Sequence, residues 1–93
     1  MDNDEARALL APYLDRYKGR SYADLVRLID EGPDHFEETG ASGDIYQIEI
    51  LSLWDDKPGG SVRVIGAIDS GFWRAFAPLD DSFLVRPDGS PVD

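Results

Sequence analysis

The amino-acid sequence predicts an α+β domain in which two N-terminal helices pack on one face of a four- to five-stranded antiparallel meander sheet. Three observations carry this expectation. Apolar residues recur at helical spacing as far as Ile29, Gly32-Pro33 interrupts the pattern, and the remainder alternates apolar with polar between closely spaced turn dipeptides.

Helix one is expected over Glu5 to Lys18, because Ala6, Leu9, Leu10, Tyr13, Leu14 and Tyr17 fall on one stripe. Asp2 or Asn3 is available as its cap and Gly19 as its terminator. Pro12 lies inside this segment, lacks an amide hydrogen and crowds the carbonyl of Ala8, so a kink or a frayed first turn is expected. Ser21 reads as the N-cap of helix two, with Asp24 three residues on, and Tyr22, Leu25, Val26, Leu28 and Ile29 form its stripe. That helix should end near Glu31, since proline disfavours helical geometry in the preceding residue and Gly32 accepts a left-handed terminal conformation.

Strands are expected at His35 to Thr39, Ile45 to Trp54, Ser61 to Ile68, Phe72 to Pro78 and Ser82 to Arg86. Their connections are Gly40 to Gly43, Asp55 to Gly60, an Asp69-Ser70-Gly71 hairpin turn, and Leu79 to Asp81. All are too short for a parallel crossover, so neighbouring strands should pair antiparallel. One face would carry Tyr46, Ile48, Ile50, Trp54, Val62, Val64, Ile68, Trp73, Ala75, Ala77 and Leu79, nearly all apolar, and the helices should pack there. The reverse face mixes Gln47, Glu49, Arg63 and Arg74 with Leu51, Leu53, Ile65, Phe72 and Phe76. Those five apolar residues are the candidate binding surface, since contiguous exposed apolar patches mark contact sites.

Composition narrows the functional classes. At 93 residues the chain holds one modest core, with roughly 60–65% of the unfolded surface hidden on folding. Hydrophobic content of 42% is too high for a disordered chain. The absence of cysteine excludes disulfides, thiolate metal sites and cysteine nucleophiles. The acidic start Met1-Asp2-Asn3-Asp4-Glu5 and the lack of any long apolar run predict a cytoplasmic address and no membrane partner. A net charge of −10 argues against direct nucleic-acid binding, which needs clustered Lys and Arg. The imbalance is local: Met1 to Ile29 holds five acids and five bases, whereas Asp30 to Asp44 holds six acids and no Lys or Arg.

Candidate chemistry is sparse. His35, the sole histidine, precedes Phe36-Glu37-Glu38, where an imidazole beside carboxylates is a possible general base or ligand; a surface histidine in an acidic strand is the competing reading. Asp55-Asp56 and Asp80-Asp81 are expected to end strands at the same end of the sheet, as an oxygen cage for a divalent cation or simply as turn formers. Lys57-Pro58-Gly59-Gly60 lacks the phosphate-loop pattern and precedes a strand, so it reads as a hairpin needing positive φ. Trp54, Phe72, Trp73 and Phe76 offer a stacking platform for a flat ligand or sugar, or ordinary core packing. None of the serines sits in a nucleophile elbow. No cofactor or metal is assigned.

The segments Trp54-Asp55-Asp56-Lys57-Pro58-Gly59-Gly60, Arg63-Val64-Ile65-Gly66-Ala67-Ile68-Asp69, Asp81-Ser82-Phe83 and Pro87-Asp88-Gly89 together resemble a family of small uncharacterised bacterial proteins, the likeness running from Ser21 to the C-terminus. The resemblance implies a bacterial cytoplasmic domain and no activity. The functional expectation is therefore a non-catalytic, acidic protein-binding or self-associating module that uses the reverse sheet face. The alternatives are an acidic inhibitor or immunity-type protein that neutralises a basic partner, and a domain that binds a divalent cation or small ligand.

Overall fold

In the computed structural model, which describes residues 2–70 and 79–92, two helices precede a four-stranded antiparallel sheet of order β1-β2-β3-β4. The elements are α1 (Asn3–Lys18), α2 (Tyr22–Glu31), β1 (Asp34–Thr39), β2 (Ile45–Trp54), β3 (Val62–Ser70) and β4 (Leu79–Val85). No helix among the described residues is long and apolar enough to cross a membrane.

Local chemistry starts and stops the helices. The Asp2 carboxylate accepts from the Glu5 amide at 3.1 Å, so the first turn of α1 is capped, not frayed. Asp4 and Glu5 at that end and Arg16 and Lys18 at the other complement the helix dipole. α1 runs through Pro12 as one element, and both Pro12 and Ala8 are exposed, so the carbonyl that proline cannot serve faces water. The Ser21 hydroxyl accepts from the Asp24 amide at 3.1 Å and begins α2. Gly32 ends that helix in extended geometry (φ −79°, ψ −172°), not in the expected left-handed one, and its peptide to Pro33 is cis.

The sheet departs from expectation at one place. Asp69 and Ser70 continue β3 where a hairpin turn was expected, and Leu79 to Asp81 open β4 where a connection was expected. The physical reason is register: Leu79 lies opposite Ile68 and packs against the core, while Asp80 and Asp81 stand exposed on an edge strand, where charge is tolerated and discourages further pairing. The strand expected at 72–78 lies outside the described residues.

Period-two burial decides the layering. Tyr46, Ile48, Ile50, Val62, Val64 and Ile68 are buried on one face, and both helices pack there. Ala6, Leu10, Tyr13, Leu14 and Tyr17 of α1, Leu25 and Leu28 of α2 and Val85 of β4 complete the core among the described residues, each large aliphatic side chain contributing roughly 1.5–3 kcal/mol. Gly66 and Ser52 are among the residues on that face that were not assigned to it from sequence. Gly66 lets α1 approach β3, since a Cβ there would lie 2.9 Å from Leu14 and 3.0 Å from Leu10. Buried Ser52 donates to the Leu25 carbonyl at 2.8 Å and ties α2 to β2.

Candidate binding face

With both described helices on one side, the reverse side of the sheet is the surface that the fold presents. Antiparallel register arranges it in rows across the strands. Leu53, Arg63 and Leu84 share one row, and Leu51, Ile65 and Ser82 the next. Then come His35, Glu49, Ala67 and Asp80, followed by Glu37, Gln47 and Asp69, and finally Thr39 and Ile45. The structure thus brings the expected Leu51, Leu53 and Ile65 together, adds Leu84, and leaves all four half-buried. Phe72 and Phe76, expected on the same face, lie outside the described residues. Ile45, at the far end, is 51% exposed.

The face is polarised along the strands. Its aliphatic half lies toward the β2–β3 hairpin, and its carboxylates form a band in the middle rows. Arg63 is already engaged: its Nε and Nη2 lie 3.0 and 2.9 Å from Asp55 Oδ1, and its Nη1 donates to the Ser82 hydroxyl at 3.1 Å. Gln47 donates to Glu37 at 3.0 Å, and His35 Nδ1 stands 3.7 Å from Glu49. With Arg63 paired, the carboxylates of Glu37, Glu49 and Asp80 outweigh the bases of this face among the described residues.

Other candidates do not converge. His35 has a 66% exposed side chain beside Glu49, which makes it a surface histidine in an acidic strand. The two aspartate pairs are not at one end of the sheet: Asp80 and Asp81 lie opposite Ala67 and Gly66, four residues along β3 from Val62, whereas Asp55 follows the Trp54–Val62 pair and holds Arg63. Among the described residues no group of three or more His, Asp or Glu side chains is placed to hold a metal ion. Gly59 has φ +84°, as a hairpin demands, and the loop is anchored by the Tyr22 hydroxyl donating to the Gly60 carbonyl at 2.7 Å. Of the proposed aromatic platform, Trp54 packs against the core and the other three residues lie outside the described ones.

The sequence reading missed a set of tyrosine–carboxylate bonds that fasten α1 to the sheet. Tyr13 donates to Glu38, Tyr17 to Asp34, and Tyr46 to Glu5. Glu5 also accepts from the Ser42 amide at 3.0 Å and the Ser42 hydroxyl at 2.6 Å. The Ser42 bonds, then Tyr46, hold the Glu5 carboxyl below its ordinary range. Burial, reinforced by the carboxylate it faces, pushes Tyr17 and Tyr46 each up to about 12, and the bond to Glu38 raises Tyr13. Arg16 and Arg20 lie over the Tyr13 and Tyr17 rings at 4.7 and 4.1 Å. The available signal was parity: Asp34 and Glu38 are on the Phe36 face of β1, so they had to point toward the helices.

Comparison with protein-family models, with curated proteins and with solved structures gave no match.

Proposed function

We propose that this chain is a non-catalytic binding module that engages a protein partner, or a second copy of itself, through the reverse face of its sheet. The observation that supports this is the half-buried aliphatic group of Leu51, Leu53, Ile65 and Leu84, standing in adjacent rows on the side away from both described helices. Aliphatic side chains presented this way gain by being covered, at about 25 cal/mol per Å² removed from water. The polar contacts of the face fit this reading, because Gln47 binds Glu37, Arg63 binds Asp55 and Ser82, and His35 stands beside Glu49, with no acid–base–nucleophile set among them.

The test compares the wild-type chain with L51T/I65T, which places β-branched strand formers at both positions while removing apolar area. Affinity capture from cells of the encoding organism and sedimentation over a range of concentrations should show retained proteins, or a dimer, with the wild type and their loss with the variant. Equal retention by a variant of unchanged melting temperature overturns the reading.

A further inference from the structure

We infer that the partner of this face is a basic polypeptide segment, whose aliphatic anchor seats on Leu51, Leu53 and Ile65 while its Lys or Arg side chains meet the neighbouring band of Glu49, Asp80 and Glu37. The inference rests on the binding-module reading and names the chemistry of the occupant. Register sets the spacing. Glu49 is two residues along β2 from Leu51, and Glu37 lies opposite Gln47, four residues away; at about 3.4 Å per residue, the bases of the partner lie roughly 7 and 14 Å beyond its anchor.

Area dictates the need for charge. A stable interface covers about 800 Å² on each partner, far more than a few half-buried aliphatic side chains offer, so any stable occupant extends over the adjacent carboxylates. A neutral occupant would strip water from those carboxylates without replacing it, which costs more than the aliphatic contacts return. A basic occupant pairs with them and is drawn in by their field. Among the described residues of this face, a second copy offers as bases Arg63, held by Asp55, and His35, beside Glu49, so it is poorly furnished to pair with the carboxylates.

Random 16-residue peptides displayed on phage, selected on the immobilised full chain and counter-selected on L51T/I65T, test the inference without presupposing a sequence. Enrichment of peptides joining aliphatic residues to several Lys or Arg is the expected result. A selected peptide, titrated by fluorescence anisotropy, should bind about two- to five-fold more weakly for each carboxylate neutralised in E49Q and D80N. It should also weaken between 0.05 and 0.5 M salt as screening shortens the reach of charge. Face-dependent enrichment of neutral or acidic peptides, indifferent to E49Q and D80N, overturns the basic partner and leaves the binding module standing. Self-association abolished by L51T/I65T, without peptide enrichment, makes the occupant a second copy and likewise overturns it. Absence of any enrichment or association that depends on Leu51 and Ile65 overturns both readings.

Discussion

Replacing Tyr17 with phenylalanine isolates one bond between α1 and β1, because the ring is 1% exposed and keeps its packing while the hydroxyl that donates to Asp34 is removed. A hydrogen bond to a charged group contributes about 1.5–3 kcal/mol. The phenol is raised from 10.0 to about 12, first by burial and then by the Asp34 carboxylate, so the bond accounts for part of that rise. The expected loss is therefore about 2 kcal/mol, or roughly 10 °C in melting temperature for a domain of this length. The pH dependence identifies the cause. Since the folded pKa is raised, the contribution is fully present below pH 10 and is lost as pH climbs through about 12. Urea unfolding followed by circular dichroism should therefore show a gap between wild type and Y17F that is constant from pH 7 to 9.5 and closes toward pH 12. A gap that persists undiminished at pH 12 would refute the phenol–carboxylate bond as its origin and assign the loss to packing.

Gly66→Val should destabilise by about 1–3 kcal/mol in the same urea assay, because its side chain overlaps Leu14, Leu10 and Ile50. Ser52→Ala, which removes the bond to the Leu25 carbonyl, should cost about 0.5–1.5 kcal/mol and raise amide exchange in α2 more than in α1. Glu5→Gln should flatten the acid limb of the stability curve: the lowered carboxyl contributes stability above its ordinary pKa and loses it as pH falls through the depressed value, a dependence the amide lacks. Exchange at the Ser42 amide, followed by NMR from pH 7 down to 3, reads that change directly.

Much of the fold was legible where a single physical rule acts alone. Ser21 starts α2 because its hydroxyl serves an orphan amide, and Gly32-Pro33 ends it because the following backbone leaves helical space. Ile45 to Trp54 emerges as β2 with the expected bounds because alternation there is unbroken. Reading failed where two rules compete. Asp69 and Ser70 favour turns, yet antiparallel pairing with Gln47 and Tyr46 extends the strand through them. Asp80 and Asp81 are poor strand formers, yet an edge strand accepts them. The candidate face was half legible: parity alone places Leu51, Leu53 and Ile65 together, whereas the contribution of Leu84 depended on the register of β4, which the misplaced turn concealed.

The acidic stretch from Asp30 to Asp44 shows why charge counting by segment misleads. A strand sends alternate residues to opposite faces, so β1 divides its own acids: Asp34 and Glu38 turn toward the helices and accept from Tyr17 and Tyr13, while Glu37 turns to the reverse face with His35. The inward acids therefore belong to the architecture, and removing them would loosen α1 before it altered any association. Asp30 and Glu31 are different again. They stand in the last turn of α2, where no base accompanies them, and an anion at a helix C-terminus is unfavourable by about 0.3–1 kcal/mol. Acids that stabilise nothing inside the molecule act through its external field, which adds to that of Glu37, Glu49 and Asp80 and speeds encounter with a basic segment over distances of about a Debye length. On this account, neutralising Asp30 and Glu31 slows association with such a segment while leaving its dissociation unchanged. Neutralising Glu49 and Asp80 raises the dissociation rate, and stopped-flow measurement at low salt separates the two.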